Sequence, residues 1–408
     1  MSQVVDRFIS YVGYETASDG QVEQCPSTEN QRVFGNVLVK EMQAMGLQKV
    51  SIDANSYVMG MLPANTKRKI RPIGLIAHMD TSPDFSGENV KPQFHENYDG
   101  GTIHLSKASK VSLNPKEFPE LKNYIGQTLI TTDGSTLLGA DDKAGIAEIL
   151  TAVDALIKQP GLEHGEVWIC FTPDEEIGRG ADLFEVKKFP VDFALTVDGG
   201  PVGEYVYENF NAAGAKVEIT GRSVHPGSAK NKMINSLEIA MQFHHLMPQA
   251  AKPEYTEGYD GFIHLVKVDG NIEKATLLYI IRDHDSEKFE QLKSILVNAG
   301  GYLNNRYQQD LVKVMIKDQY KNMKEKIEPH GYIMEIVRTA MQQAGIELFT
   351  EPVRGGTDGA RLSFMGLPTP NLFTGGHNGH GPYEFISVQS MEKAVAVIQK
   401  IILEVAKQ

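Results

Sequence analysis

Apolar runs that each break off at a residue able to bind a metal or carry a proton constrain this chain more than any other feature. Residues 73–77 stop at His78, residues 167–171 lead into Asp174, Glu175 and Glu176, and residues 193–197 stop at Asp198. A shorter run ends near Thr374. Helical repeats lie between them: Ile146, Ile149, Leu150, Val153, Leu156 and Ile157 recur at spacings of three and four, as do Met391, Ala394, Val395, Ile398, Ile401, Ile402 and Val405. Strands alternating with helices predict an α/β domain whose mostly parallel sheet is flanked by helices. In such a sheet ligands gather at the carboxyl ends of the strands, where His78, Glu175, Glu176 and Asp198 fall.

Residues 212–320 read differently. Their order of strand, helix, two strands, helix and strand predicts a ferredoxin-like α+β domain inserted into the first. Residues 1–211 and 321–408 then form one discontinuous catalytic domain. A length of 408 residues also suits two domains. Residues 1–16 are expected to form an amphipathic helix with Val5, Phe8, Ile9 and Val12 on one face, with no basic segment followed by an apolar one, so secretion is not expected.

A hydrophobic share of 41% and a charged share of 23%, with no apolar stretch long enough to span a bilayer, exclude a membrane-spanning chain. The formal charge of −12 and the lack of a Lys/Arg stripe argue against nucleic acid as partner. Cys25 and Cys170 make no disulfide framework, so a reducing cytoplasm is the expected location.

Each candidate site residue has a plain structural explanation when taken alone. Glu175-Glu176 could be an exposed acidic turn, and the two could face one site only if the chain turns sharply after Pro173. His78 and Asp80 emerge on the same side of a strand, so Asp80 could hold the imidazole for a metal, or His78 could be an ordinary surface histidine. Of Asp141 and Asp142, one suffices to cap the following helix, and the other could bridge two cations. Asp198-Gly199 could be a turn, and the loop 375–381 offers both His377 and His380. Five such positions at strand ends and helix starts together point to a metal site.

In order along the chain stand His-x-Asp (78–80), Gly-Ala-Asp-Asp-Lys-Ala-Gly (139–145), Asp-Glu-Glu (174–176), Val-Asp-Gly-Gly (197–200), Gly-Arg-Ser-Val-His-Pro-Gly (221–227) and Arg-Gly-Gly-Thr-Asp-Gly (354–359). The series resembles the co-catalytic zinc aminoacylase and carboxypeptidase superfamily, over nearly the whole chain. Within it, Thr131-Thr132-Asp133-Gly134 and residues 205–211 are most similar to aminopeptidases that act on tripeptides.

The resemblance implies two Zn²⁺ per chain, with Mn²⁺ or Co²⁺ as possible substitutes. His78 and Asp198 would bind one, Glu176 and His380 the other, and Asp141 would bridge them. Glu175 would be the general base, Asp80 the partner of His78, and the bond between Asp141 and Asp142 would be cis. His377 stands where the family has a tyrosine, and His380 is preferred because His380, Gly381 and Glu384 match the family's His-Gly-x-x-Glu spacing. The inserted domain would act as a lid and is where family members often dimerise, so a homodimer is a possible assembly. Closure of the lid would bring in His225 to bind the substrate carbonyl. Arg282 and Arg354 could fork onto a substrate carboxylate, or be surface salt bridges. A dipeptidase or an acyl-amino-acid amidohydrolase would use the same zinc centre. A catalytically silent protein that associates through its lid would be expected to lack ligands or base.

Overall fold

The computed structural model describes residues 2–106 and 110–408, so Met1 of the expected first helix lies outside the described residues. The chain divides into two compact units. Met1–Tyr207, Glu325–Glu351 and Thr357–Gln408 form the first, and Glu208–Lys324 with Pro352–Gly356 the second. The second unit extends beyond residues 212–320 because its ends are stitched together. Asn209 N–H donates to Asn322 Oδ1 at 3.2 Å, and Asn322 N–H donates to Asn211 Oδ1 at 3.0 Å. Residues 352–356 join it through Val353 N–H, which donates to the Glu208 carbonyl at 3.0 Å.

In the first unit, helices α1 (Gln3–Val12), α2 (Glu29–Ala44) and α3 (Ala140–Ile157) accompany ten strands among the described residues before the second unit begins. These are β1 (Gln48–Ile52), β2 (Val58–Leu62), β3 (Ile73–His78), β4 (Gln93–His95), β5 (Ile103–His104), β6 (Ser112–Leu113), β7 (Leu129–Thr131), β8 (Val167–Thr172), β9 (Phe193–Gly199) and β10 (Tyr205–Val206). The second unit holds β11 (Asn211–Thr220), α4 (Ser236–His245), β12 (Phe262–Gly270), β13 (Lys274–Asp283), α5 (Ser286–Tyr307) and β14 (Val312–Tyr320). The first unit resumes at Glu325, within α6 (Lys324–Ile327), and continues with α7 (Tyr332–Gln343), α8 (Asp358–Phe364), β15 (Asn371–Phe373), β16 (Gly376–His377), β17 (Phe385–Ser387) and α9 (Val388–Val405).

The main sheet runs β1-β2-β8-β3-β9-β15-β10. Its middle strands β8, β3, β9 and β15 pair in parallel, and antiparallel β1, β2 and β10 close the two edges, which makes the sheet mixed. The continuous apolar runs are explained by burial on both faces. Ile169 and Phe171 on β8 and Leu195 and Val197 on β9 join one core with α1, α3, α7 and α9. Trp168, Cys170 and Ala194 point the other way, into a second core completed by Phe184, Phe189 and Leu362. Both cysteines are free thiols. No described helix is long and apolar enough to cross a membrane.

The second unit pairs its strands in the order β12-β13-β11-β14, all antiparallel, with α4 and α5 packed against them. This is the ferredoxin-like order that the sequence predicts. Asn235 Oδ1 caps α4 at Leu237 N–H and Asp285 Oδ1 caps α5 at Lys288 N–H, satisfying donors that each helix start leaves free.

Helix α3 lies at the centre of the first unit and is buried almost throughout, because Ala144, Gly145, Ala147 and Ala152 leave room for close neighbours beside its larger apolar residues. Gly145 shows why: a Cβ there would stand 2.0 Å from the Val197 carbonyl oxygen of β9. Glu148 of α3 is fully buried with neither carboxylate oxygen hydrogen-bonded, and burial raises its pKa well above the usual carboxylate value. A folded pKa raised above the unfolded one means that this group's contribution to stability falls as pH rises past the unfolded value. Glu148→Leu is therefore expected to stabilise the first unit by about 1 to 3 kcal/mol, and by more at pH 8 than at pH 5. Urea unfolding followed by the fluorescence of Trp168, the single tryptophan, reads this unit directly. An equal or lower midpoint at pH 8 would contradict the expectation.

Candidate metal centre

The last residue of β3, the turn after β8 and the end of β9 deliver His78, Glu175 with Glu176, and Asp198 to the carboxyl ends of the middle strands of the main sheet. The start of α3 supplies Asp141 and the loop between β16 and β17 supplies His380. Two donor groups result, His78 with Asp141 and Asp198, and Asp141 with Glu176 and His380.

Asp141 belongs to both groups through different oxygens. Its Oδ1 lies 2.9 Å from His78 Nε2, and its Oδ2 lies 3.3 Å from His380 Nε2. His78 Nε2 is also 3.6 Å from Asp198 Oδ1, and His380 Nε2 is 2.9 Å from Glu176 Oε2. The bond between Asp141 and Asp142 is cis. Asp142 takes the capping work: its Oδ1 accepts from Gly145 N–H at 3.2 Å and its Oδ2 from His78 N–H at 3.1 Å. The neighbouring aspartates thus divide, one tying α3 to β3 and the other facing both groups.

Around this centre the chain is held by backbone donors. Asp80 Oδ1 accepts from Glu175 N–H at 3.0 Å, and Asp80 Oδ2 accepts from Glu176 N–H at 3.1 Å. His78 Nδ1 donates to the Asp80 carbonyl at 3.0 Å, nearer than the carboxylate at 3.4 Å, which leaves Nε2 to face the donor groups. The sharp turn after Pro173 falls on Asp174, whose φ of 57° is left-handed. Its carboxylate accepts from Ser27 N–H, Ser27 Oγ and Gln31 Nε2, fixing that turn to the start of α2. Asn378 and His380 also take positive φ, at 56° and 67°. Each such residue costs on the order of 1 kcal/mol, a pattern common where a site dictates the backbone.

The charges are strongly coupled. Burial opposes protonation of His78, but Asp198, Asp141 and Asp80 outweigh it and hold its pKa well above the usual histidine value. Hydrogen bonds to Asp141 and Glu176 raise His380 to about 11. Burial would raise Asp141, yet His380 and His78 keep it below the usual carboxylate range. Burial, aided by Asp141, pushes Glu176 up to about 8, and burial also raises partly buried Glu175 well above its ordinary value.

Glu176 Oε1 tests whether these residues suit a pair of cations. It is buried without a hydrogen-bond partner although Oε2 meets His380. A carboxylate oxygen left bare in this way carries a penalty that a cation would remove. Three carboxylates and two histidines match the oxygen and nitrogen donors that zinc and its neighbours accept.

His377 is not brought into either group. Its Nε2 shares a 2.5 Å hydrogen bond with the Tyr124 hydroxyl, and its ring stacks on Phe385 at 4.9 Å. Burial lowers its pKa to about 4, so it serves as a neutral wall of a cavity of about 230 Å³ that also includes Asp141 and Asp198. His225 is exposed in the second unit, where its Nδ1 accepts from Gly227 N–H at 3.1 Å. Arg282 Nη1 donates to the carbonyls of Ala213 and Ile281, and its guanidinium lies 5.4 Å from the centre of the Tyr320 ring. Arg354 is more fully occupied, by the carbonyls of Gly258 and Asp260 and by Thr256 Oγ1.

Two carboxylates matter beyond what the motifs foretell. Glu384, quoted above only for its spacing, accepts from Leu138 N–H and Gly139 N–H through Oε2 and from Asp141 N–H through Oε1. It anchors the loop that carries the shared aspartate, and burial raises its pKa to about 7. Asp358 accepts from Thr172 Oγ1 at 2.7 Å beneath the end of β8, and burial raises it to about 7 as well. Its place inside Arg-Gly-Gly-Thr-Asp-Gly was the one available signal.

Residues 133–404 match the model of Peptidase family M20/M25/M40. Peptidase T of Clostridium acetobutylicum is 56% identical over 402 residues, which are 98% of this chain and 98% of that protein. A tripeptidase from Staphylococcus aureus of known crystal structure has a TM-score of 0.79 at 20% identity, over 100% of this chain and 98% of that one. A Bacillus subtilis protein, described as a dinuclear metal binding peptidase from the M20 family, has a TM-score of 0.63 at 12% identity, over 98% of this chain and 97% of that one. At such low identity the two crystal structures speak for the fold alone.

Proposed function

Since the chain belongs to Peptidase family M20/M25/M40, we propose that it is a metalloaminopeptidase removing the N-terminal residue from short peptides, chiefly tripeptides. Two Zn²⁺ would be held by His78, Asp198, Glu176 and His380, with Asp141 shared. The observation that carries this reading is the pair of donor groups meeting on Asp141 beside a further carboxylate, Glu175, that neither group uses. The tripeptide preference draws on the name peptidase T that the full-length relatives carry and on the resemblance of residues 131–134 and 205–211.

Two cations bound there would polarise a peptide carbonyl and lower the pKa of water. Glu175 accepts the proton of the attacking water and passes it to the leaving amine. Its raised pKa suits a group that must take up a proton and release it in each turnover. Asp80 sets the distance between proton carrier and ligand by holding the amides of both Glu175 and Glu176. Glu384 holds the Asp141 loop, so the shared carboxylate stays in place as substrate arrives. Within the second unit, His225 offers its Nε2 to a substrate carbonyl, and Arg282, with only Nη1 engaged among the described contacts, keeps donors for a carboxylate. Arg354 has less to offer, since its fork already holds the loop 256–260.

A panel of di-, tri- and tetra-alanine, together with N-acetyl-trialanine, tests the reading. Trialanine is expected to be cleaved fastest and its acetylated form at least tenfold more slowly. Equal cleavage of the free and acetylated forms would remove the aminopeptidase assignment, and a faster dipeptide would favour a dipeptidase.

A further inference from the structure

No hydrogen bond to the Glu175 side chain is among the described contacts, so the backbone on either side of it aims its carboxylate. Upstream, that backbone is held by Asp80, which accepts from Glu175 N–H, and by Asp174, which accepts from Ser27 N–H. Downstream, residues 173–185 form neither helix nor strand. We propose that Arg361, on α8, is a positioning residue that clasps this segment and so aims Glu175 at the attacking water. The proposal rests on the peptidase reading above and adds a residue that lies outside the quoted motifs.

The Glu175 carbonyl accepts from Gly178 N–H at 2.6 Å, which closes a turn directly behind the base. Gly178 is exposed at a φ of 72°, and nothing lies within 4 Å of where its Cβ would stand, so no packing at this residue holds the turn. Arg361 supplies a polar hold instead: its Nη1 donates to the Gly178 carbonyl at 2.7 Å, and its Nη2 pairs with Asp182 Oδ1. Asp182 N–H donates to the Arg179 carbonyl at 2.9 Å, and Arg179 N–H donates to the Asp174 carbonyl at 2.9 Å. Both arms of the guanidinium therefore reach one set of backbone bonds that begins beside Glu175. A planar fork holds two acceptors at a fixed spacing, which a single ammonium does not.

Helix α8 is itself fixed against the same segment, which gives the clasp a firm base. Asp358 precedes Arg361 by three residues, so the two share a face of α8. Its carboxylate accepts from Thr172 Oγ1 at 2.7 Å and lies so near Gly180 that a Cβ there would run into it. Thr172, Gly178, Gly180 and Asp182 thus all lie against one helix, with Arg361 taking the exposed part downstream of Glu175. The pair of Arg361 with Asp182 is about one-third exposed on each side, and ion pairs that open to water add little to global stability. Its effect is local, on the turn that carries the base.

The test compares Arg361→Met and Arg361→Lys with the parent, all as zinc-loaded full-length protein. In hydrogen exchange followed by mass spectrometry, amides 175–182 of Arg361→Met exchange roughly fivefold faster, while the rest of the chain and the urea midpoint stay as they were. On trialanine, kcat of Arg361→Met falls roughly tenfold with KM within about twofold, and Arg361→Lys lies between it and the parent. In a Glu175→Gln background the same substitution costs nothing further, because a misaimed base matters only where the base is present. Unchanged exchange, a parental kcat, a loss confined to KM, or a full further loss in the Glu175→Gln background would each overturn the proposal. So would a lower urea midpoint with faster exchange throughout, since Arg361 would then hold the unit as a whole. Failure of the peptidase reading shows up separately, as absence of peptide cleavage by the parent, and the exchange of residues 175–182 still reports whether Arg361 clasps the turn.

Discussion

Glu175→Gln is expected to keep two metal ions per chain while kcat on trialanine falls by roughly 10²- to 10⁴-fold, the usual share of a positioned acid or base. The amide matches the carboxylate in size, and the backbone bond from residue 175 to Asp80 Oδ1 does not depend on the side chain. The turn and Glu176 therefore stay where they are. The variant cannot take the proton from water, so the loss falls on kcat, with KM changing little. Metal analysis alongside steady-state kinetics reads both halves. Turnover at the parental rate would remove Glu175 from its role, and loss of metal would show that it serves as a ligand.

Asp141→Ala should have the largest effect on metal content. Because its two oxygens face different histidines, removal takes a donor from both groups at once. It also leaves His78 and His380 without the carboxylate between them. At a free zinc concentration that fills both sites of the parent, the variant should hold less than one ion per chain. The affinity loss should exceed the roughly 10- to 100-fold cost of losing an outer partner. Asp198→Ala is the control, since Asp198 belongs to one group only and one ion should remain. If both variants lose the same single ion, Asp141 is not shared. Titration of the metal-free proteins with zinc, read by elemental analysis after dialysis, separates these outcomes.

The strand ends were legible because burial on both faces of a sheet writes continuous apolar runs, and the residue where such a run breaks off is the one that reaches the edge. His78 and Asp198 were found in that way. The order of the inserted unit was legible for a similar reason, since its strands and helices each carry one apolar face. Its boundaries were less so, because the asparagines that stitch it shut look like ordinary loop residues until their partners across more than a hundred positions are known. Roles that depend on geometry were likewise hidden. Nothing in Asp-Asp tells which aspartate caps α3, and nothing in the spacing of Glu384 announces that it accepts three backbone amides. The mostly parallel sheet was legible, while the antiparallel edge strands β1, β2 and β10 were not singled out, because pairing sense leaves no trace in composition. Glu148 was invisible altogether, since a lone glutamate in a helix reads as solvent-facing.

Where the site residues fall along the chain has a consequence for synthesis. The second unit, apart from five residues, is one continuous stretch from 208 to 324, and it interrupts the unit that holds the site. Emerging from the ribosome, it can pack its own core while the surrounding unit is still missing α7 to α9 and the loop of His380. The site residues run from His78 to His380, so most of the nascent chain carries half a binding site for a long time. An unfinished chain then offers its buried acids no complete set of partners until the loop of His380 has been made. Ribosome-bound chains ending before His380 should show a folded insert and an inactive, incomplete host.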